Sequence, residues 1–221
     1  MHKLLCGLIV AISLMIVQAL SDEYQAAGQH YKVLKDAVSV EPSDGAVEVD
    51  IIFWYGCPHC YDLEKLIPAW KKTLSPDVNV VKTPAIFGHP WQPHAQLFYA
   101  LKETGLDETA NTAIFNAVQK EGKRLDKPVD MANFLNEHFK VDKEAFLKVY
   151  DSFGVRNQSQ KAYAKVRGAQ LMGIPAMIID GRYVVDPQSA GGLEAMLKVA
   201  EALIETVRRE KTPKQKAAAA G

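Results

Sequence analysis

The sequence carries no net charge, because 26 lysine and arginine residues balance 26 aspartate and glutamate residues. Without a large positive field, the chain has no long-range attraction for nucleic acid or for an anionic membrane surface. We therefore expect no nucleic-acid partner, and partners that are recognised by shape and by specific chemistry.

The sequence also lacks an apolar run of the length that a comfortable membrane span requires. A shorter run, from Leu4 to Val17, follows the basic Lys3 and ends close to the small residue Ala19. This pattern is typical of a signal peptide at residues 1–19, with cleavage after Ala19. An uncleaved anchor is the alternative interpretation of the same run. We interpret the protein as exported.

Cysteine is scarce as well. The 221 residues contain three cysteines, and cleavage after residue 19 would remove Cys6. A dense disulfide framework is excluded and is also unnecessary, because a chain of this length with 48% hydrophobic residues can bury a sizeable core. Cys57 and Cys60 would remain as one close pair. In an exported protein such a pair indicates a redox or a metal-binding role.

The residues around this pair predict a strand followed by a helix. Val47 to Tyr55 first alternates and then becomes continuously apolar, as in a buried central strand, and Gly56 ends it. Pro58 suits the first turn of a helix, and apolar residues then recur at helical spacing. Cys57 is therefore predicted at a helix N-terminus. A second strand, from Asp77 to Thr83, completes a βαβ unit.

The rest of the chain predicts a hairpin and a helical middle. Asp180-Gly181, a dipeptide favoured in tight turns, separates the predicted strands Ala176 to Ile179 and Arg182 to Val185. An amphipathic helix is predicted from Gly191 to Val207. Between these regions the periodicity predicts helices alone, at about 93–104, 107–121, 129–137, 143–152 and 155–171. The fold class is therefore α/β, with an all-helical insertion at residues 89–168 and a disordered tail at 211–221.

The motif that carries chemistry is Cys57-Pro58-His59-Cys60. At a helix N-terminus, free backbone N–H groups and the positive end of the helix dipole favour a thiolate at Cys57. Cys60, one turn further along, should be more buried. We predict that Cys57 forms a mixed disulfide with a partner and that Cys60 resolves it. His59 can donate to the Cys57 sulfur or carry positive charge beside it, which stabilises the reduced form and makes the protein an oxidant.

Two other interpretations of the pair stay open. A structural disulfide would close so short a loop that it would remove little entropy from the unfolded chain. A zinc site could use both thiolates and His59, but the sequence has no second C-x-x-C, and His89 and His94 lack a clear zinc-site spacing. We expect no metal, and we expect His94 to be an ordinary surface or capped histidine.

A second element of interest is Gly173-Ile174-Pro175-Ala176, where a proline comes immediately before a predicted strand. Such a proline often marks a constrained turn and sometimes a cis peptide bond. The residues alone leave both the cis and the trans form open.

Taken in order, the C-P-H-C motif, the preceding F-W-Y-G, the helical insertion and the G-I-P-A segment resemble the DsbA family of the thioredoxin superfamily. The resemblance covers nearly the whole chain after residue 19. It implies a thioredoxin fold with a central mixed sheet, built from residues 20–88 and 169–210. It also implies Cys57 as the nucleophile, Cys60 as the resolving thiol and His59 as a stabiliser of the thiolate, with Pro58 completing the motif.

For client binding, the resemblance implies that Pro175 is a cis proline facing the disulfide. The Ile174 backbone would form hydrogen bonds with an extended peptide, a form of strand addition. An apolar rim for unfolded chains could be supplied by the side chains of Trp54, Tyr55, Phe87, Pro90 and Trp91. Packing in the interior is the alternative for each of them.

The sequence departs from the family at one position. Many relatives have a buried acid six residues before the first cysteine, where this chain has Ile51. Asp50, one residue earlier, should face the other side of the sheet. Glu64 and Lys82 resemble charged neighbours in the family, and our hypothesis is that they modulate proton transfer at Cys60. The alternative is that both are solvated surface charges.

The resemblance implies an exported thiol-disulfide oxidoreductase of the periplasm, a monomer that needs no cofactor besides its own disulfide. It would donate the Cys57-Cys60 disulfide to reduced, newly translocated proteins. A membrane partner similar to DsbB would then reoxidise it and pass the electrons to quinone. A disulfide isomerase or reductase is the alternative with the same chemistry, and a redox-inactive peptide-binding chaperone is the alternative from another class.

Overall fold

A computed structural model describes residues 29–41 and 47–218 of the chain. Their strands form one five-stranded sheet in the order β1-β5-β4-β2-β3. From β1 to β5 these strands are Lys32–Val33, Val47–Phe53, Val78–Pro84, Ala176–Ile179 and Tyr183–Val185. β2 and β3 are parallel, and the other pairs are antiparallel. The predicted mixed sheet is therefore confirmed.

The helices flank the sheet and fill the middle of the chain. α1 (Pro58–Lys71) follows β2, and α7 (Pro187–Ala190) and α8 (Leu193–Ala218) follow β5. Between β3 and β4 lie a short 3-10 helix, which was not predicted, and five α-helices, each of which is within a few residues of its predicted position. These are His89–Trp91, then α2 (Gln92–Glu103), α3 (Asp107–Gln119), α4 (Pro128–Phe139), α5 (Lys143–Tyr150) and α6 (Phe153–Gly168).

The structure differs from the sequence interpretation at the two ends. β1 was not predicted, because two residues are too few to show a periodicity and their pairing with β5 depends on distant residues. Helix α8 continues to Ala218, so the disordered tail predicted from Lys211 is wrong for the described part of that segment. Alanine, lysine and glutamine are strong helix formers, which favours this continuation. The predicted signal peptide lies outside the described residues.

Helices cover both faces of the sheet, and successive residues of β2 point to opposite faces, so both sets of side chains are buried. Ile51 packs with Leu63 and Ile67 of α1 and with apolar residues of α8. On the opposite face, Ile52 packs with Val166 near the end of α6. A separate core, centred on large residues of the insertion, extends to Tyr55 and Cys60. In the described part of the chain, no helix combines the length and the apolar character that a bilayer span requires.

The β4–β5 hairpin turns at Asp180-Gly181, as predicted, and both residues have positive φ angles, 51° and 67°. The predicted start of the second strand at Arg182 is wrong, because Ile179 pairs with Tyr183 and the three residues from Asp180 to Arg182 connect the strands. A Cβ atom at position 181 would also collide with the carbonyl oxygen of Val38. Only glycine fits at this position, and the turn joins β4 to β5 in the antiparallel register that pairs Ile179 with Tyr183.

Candidate active site

Cys57 is the N-cap of α1. Its backbone is extended, Pro58 occupies the first helical turn, and the Cys57 sulfur accepts a hydrogen bond from the backbone N–H of Cys60 at 3.3 Å. The local sequence explains this arrangement, because a proline at this position starts a helix without losing a needed donor. The Cys57 sulfur thus lies at the positive end of the helix, where a negative charge is favoured.

The two sulfurs have opposite electrostatic environments. Hydrogen bonds from the Cys60 thiol and from the backbone N–H groups of Cys60 and His59 lower the pKa of Cys57 to about 6, and the charge of His59 adds a smaller contribution. Cys60 is buried, and burial together with the neighbouring Cys57 sulfur raises the pKa of its thiol well above the usual range. At neutral pH the pair therefore consists of one accessible thiolate and one protected thiol.

The segment before β4 lies directly against this pair. The Cys57 sulfur lies 3.8 Å from the carbonyl oxygen of Ile174, to which it donates a hydrogen bond in its protonated, thiol form. The Ile174-Pro175 peptide bond is cis, and the Pro175 side chain is buried. Ile174 keeps part of its surface exposed beside Cys57. The fold thus brings together two motifs that are separated by more than 100 residues in the sequence.

Glu64 and Lys82 form an ion pair one turn beyond Cys60. The Lys82 ammonium donates to Glu64 Oε1 at 2.8 Å. The Lys82 side chain is 14% exposed and the Glu64 side chain is 11% exposed. The alternative that both are solvated surface charges is therefore wrong. Lys82 lies beside Ile51 in the parallel register of β2 and β3, so it projects toward the same face as Ile51.

Helix α3 provides three amide side chains to the elements around the cysteines, and the sequence analysis missed all three. Asn111 donates to Glu64 Oε1 at 2.7 Å. Gln119 donates to the carbonyl oxygen of Tyr55 at 2.6 Å, and Asn116 accepts from the Tyr61 hydroxyl at 2.6 Å. The available signal was a polar Asn111 on the apolar face of a predicted helix. We name Glu64, Lys82 and Asn111 the thiol-side cluster.

The predicted apolar rim is present only in part. Trp54 stacks on Trp91 with ring centroids 4.1 Å apart, and Phe87, which is 43% exposed, contacts the edge of this pair. The Trp54 indole lies over Gly56, where a Cβ atom would collide with it. For Tyr55 the alternative of interior packing holds, because its side chain is 1% exposed.

His94 was expected to be a surface or capped histidine, and the surface alternative is wrong because the side chain is buried. Its ring is buried between Trp54 and Tyr55, and Nε2 lies 2.8 Å from the carbonyl oxygen of Arg124. Burial lowers the pKa of His94, so the ring is neutral at neutral pH. His94 therefore belongs to the packing beneath the rim, at the start of the insertion.

Asp50 faces away from the cysteines, as the alternation of β2 predicts. Its Oδ2 accepts hydrogen bonds from Lys165 of α6 at 2.6 Å and from Thr83 at 2.8 Å. Lys165 also contacts Glu48 at 3.4 Å. Burial raises the pKa of both carboxyl groups above their usual values. We name Glu48, Asp50, Thr83 and Lys165 the far-side cluster.

The site has the features of a thiol-disulfide exchange centre. A C-x-x-C pair caps the helix that follows a central strand, its sulfurs differ in exposure and acidity, and a cis proline lies opposite. Among the described residues, no three side chains of histidine, cysteine, aspartate or glutamate lie close enough together to hold a metal ion. Fold and site together define the class as a disulfide oxidoreductase with a thioredoxin fold.

Comparison with known proteins gives the family. The model of the DSBA-like thioredoxin domain matches residues 48–198. The thiol:disulfide interchange protein DsbA of Azotobacter vinelandii is 42% identical over 213 residues, covering 94% of this chain and 99% of that protein. The DsbA of Pseudomonas aeruginosa is 41% identical over 207 residues, covering 94% and 97%. The chain belongs to the DsbA family of thiol:disulfide interchange proteins.

Solved structures agree with this assignment. The crystal structure of Pseudomonas aeruginosa DsbA superposes with a TM-score of 0.80 at 41% identity, and the match covers 86% of this chain and 98% of that one. The oxidoreductase DsbA from Xylella fastidiosa, at 27% identity, has a TM-score of 0.79 and covers 84% and 99%. The prediction of a thioredoxin fold with a helical insertion is therefore confirmed.

Proposed function

We propose that the protein donates the Cys57-Cys60 disulfide to reduced, newly exported proteins. The observation that carries this proposal is the asymmetry of the two sulfurs, with a partly exposed Cys57 whose pKa is lowered to about 6 and a buried Cys60 whose pKa is raised. A stabilised thiolate at Cys57 makes the reduced protein the favoured product of exchange. The exchange equilibrium therefore favours the reduced protein and a client that has gained the disulfide.

The reaction consists of two exchanges. A client thiolate attacks the Cys57 sulfur, the Cys57-Cys60 bond breaks, and Cys60 leaves with the electron pair and takes a proton. The second thiolate of the client then attacks the client sulfur of the mixed disulfide, and Cys57 leaves as a thiolate. The client gains a disulfide and the protein is reduced by two electrons. Exposure selects Cys57 as the site of the first attack.

Client binding is assigned to the surface around Cys57. The exposed backbone beside Ile174 would pair with an extended client segment, as in strand addition. The rim formed by Trp54, Phe87 and Trp91 would receive apolar side chains of an unfolded chain. Backbone pairing and an apolar contact tolerate many sequences, so this surface suits a broad range of clients. Pro58 and His59, which follow Cys57 in the motif, are exposed as well.

Turnover requires an oxidant, because each cycle leaves the protein as a dithiol. We assign this role to a membrane protein similar to DsbB, which accepts the two electrons by the same exchange at Cys57. The proposal places the protein in the periplasm as a monomer, with the cysteine pair as its only redox group and no further cofactor.

The first test is the equilibrium between the cysteine pair and a glutathione redox buffer, combined with oxidation of a reduced, unfolded client that has several native disulfides. We expect an oxidising equilibrium constant and a reduced form that is more stable than the oxidised form. Cys57→Ser should abolish client oxidation, and Cys60→Ser, which cannot form the internal disulfide, should retain a mixed disulfide at Cys57 after exchange with oxidised glutathione of the buffer.

The alternatives give different results in the same assays. An equilibrium as reducing as that of thioredoxin would contradict the donor function and indicate a reductase. Client binding that persists in Cys57→Ser, in a protein whose wild type oxidises no client, would indicate a chaperone. Repair of scrambled disulfides without net oxidation would indicate an isomerase.

A further inference from the structure

Asn111 is a buried polar side chain that joins the insertion to the residues around Cys60. It is 2% exposed, and it lies on α3 among the buried apolar residues Ala110, Ile114 and Phe115. Its Oδ1 accepts from the Tyr55 hydroxyl at 2.9 Å, and its Nδ2 donates to Glu64 at 2.7 Å. A buried amide that is bonded at both ends specifies a single arrangement of its partners.

Tyr55 fixes the direction of this hydrogen-bond chain. Burial and the nearby carboxylates raise the pKa of Tyr55 well above its usual value of 10.0, so its hydroxyl stays protonated and donates. The Asn111 carbonyl must therefore face Tyr55, and the Asn111 N–H must face Glu64. The amide then offers Glu64 a donor, which suits an ionised carboxylate.

The same carboxylate is bonded from the sheet side. Lys82 donates to Glu64 Oε1 at 2.8 Å, so the insertion and β3 hold one oxygen between them. Glu64 follows Cys60 by four residues on α1, which places both side chains on one face of the helix. Its negative charge adds to burial and to the Cys57 sulfur in raising the pKa of Cys60. The position of Glu64 therefore affects the reactivity of Cys60.

We propose that Asn111, oriented by Tyr55, is a positioning residue that holds the Glu64 carboxylate beside Cys60 and thereby slows the attack of Cys60 on a mixed disulfide at Cys57. This inference rests on the exchange chemistry of the proposed function. Slow attack by Cys60 gives the second thiol of a client time to complete its own disulfide.

The step that Asn111 slows is the reversal of client capture. The Cys60 thiol releases its proton to solvent, and the thiolate attacks the Cys57 sulfur. A Cys57-Cys60 bond forms, the bond from Cys57 to the client sulfur breaks, and the client sulfur leaves with the electron pair and takes a proton. The client is released reduced, and the protein is oxidised again. A negative charge beside Cys60 disfavours its thiolate and therefore this reversal.

The test is the rate at which Cys60 closes the internal disulfide when glutathione replaces the client. Reduced protein is mixed with excess oxidised glutathione over a range of pH, quenched with acid, and separated into mixed-disulfide and internally closed forms. Asn111→Leu and Tyr55→Phe should speed closure up to about twofold at neutral pH, because displacing the Glu64 carboxylate has at most the effect of removing its charge. A fall of about half a unit in the pKa of Cys60 gives about three times more thiolate, and the lower nucleophilicity of that thiolate reduces the net acceleration to about twofold.

Tyr61→Phe is the matched control. It removes the same type of hydrogen bond, from a tyrosine hydroxyl near Cys57 to an asparagine of α3, but its partner Asn116 makes no contact with Glu64 among the described hydrogen bonds. We expect closure in Tyr61→Phe to match the wild type. If Asn111→Leu does not fold, Tyr55→Phe still provides the test, because it keeps the amide and the ring.

Combination with Glu64→Gln shows whether Asn111 acts through the carboxylate. In a Glu64→Gln background, Asn111→Leu should have no further effect on closure. An acceleration that persists there, or closure rates that stay at the wild-type value in both folded single variants, would overturn the proposal. Wild-type protein that never forms the internal disulfide would instead contradict the proposed function, and the two failures are therefore distinguishable.

Discussion

The thiol-side and far-side clusters each pair a lysine with a buried carboxylate, but they lie on opposite faces of β2 and β3. On the face of α1, Lys82 pairs with a carboxylate that neighbours Cys60. On the opposite face, Lys165 pairs with Asp50 and Glu48 and ties α6 to the sheet. The face of the sheet on which a buried charge lies, rather than its residue type, therefore decides whether the charge can influence the thiols of Cys57 and Cys60.

Replacing each lysine in turn tests this difference between the two clusters most directly. We expect Lys165→Met to lower the free energy of unfolding by about 3–5 kcal/mol, because it leaves two buried carboxyl groups without their cation. Lys82→Met should cost less, about 1–3 kcal/mol, because Glu64 keeps its bond to Asn111. Urea unfolding of the oxidised proteins measures both losses.

The redox equilibrium completes this comparison. Lys165→Met should leave the equilibrium with glutathione unchanged in its folded fraction, whereas Lys82→Met should shift it. A shift of similar size in both variants would show that the far-side cluster also influences the cysteines, and the distinction between the faces would fail.

The pH dependence of stability provides a second contrast. In the reduced protein the folded pKa of Cys57 is about 6 against a usual 9.0, so the folded state binds fewer protons than the unfolded chain between these pH values. The contribution of Cys57 to stability therefore grows as the pH rises through this window, and it is lost as the pH falls through about 6.

Glu48 and Asp50 behave in the opposite way. Their raised pKa values give stability that is complete below their usual values of 4.5 and 3.8 and is lost as the pH rises through the folded pKa values.

Both redox forms share the far-side contribution, but only the reduced form has a thiolate at Cys57. We expect the difference in unfolding free energy between reduced and oxidised protein to increase from pH 6 to pH 9, and to decrease above pH 9 because the pKa of Cys60 is raised. Urea unfolding of both forms at a series of pH values measures this difference. Asp50→Asn is the control and should leave its shape unchanged, whereas a difference that is independent of pH would contradict the assignment.

The smallest effect is expected from neutral replacements of the two carboxylates. In a Cys57→Ser background, Glu64→Gln should lower the pKa of the Cys60 thiol by about half a unit to one unit, because it removes a neighbouring negative charge. Asp50→Asn, on the other face, should leave that pKa unchanged. Carbon NMR of labelled cysteine follows the titration directly. Equal titration curves for the Glu64→Gln protein and its parent would show that the Glu64 charge does not raise the pKa of the Cys60 thiol.

Much of the fold could be predicted because its signals are local. The apolar run before Gly56, the proline after Cys57 and the Asp180-Gly181 dipeptide each specify a neighbouring element by short-range sterics. The two-residue strand β1 has no such signal, since it exists through pairing with β5. Likewise, the helical continuation to Ala218 depends on propensity that an apolar pattern does not report.

The candidate site shows the same division. The motif and its helix give the placement of Cys57 and Cys60, and strand alternation gives the opposite orientations of Ile51 and Asp50. Asn111 and Lys165 could not be assigned, because their partners are 47 and 115 residues away in the sequence. An amide or a lysine on a helix becomes part of a site only when tertiary packing brings those partners close.

The hydrogen bonds from α3 have a consequence for protein engineering. Deleting the insertion would shorten the chain to the sheet and its flanking helices, but it would also remove two hydrogen bonds near the cysteines. Gln119 donates to the backbone of Tyr55, and Asn111 donates to Glu64. The far end of the insertion, α6, also covers one face of the sheet. The helical segment is therefore not a detachable module. A shortened enzyme would need a redesigned scaffold around Cys60, and transplanting the four-residue motif alone into a smaller relative would leave this environment behind.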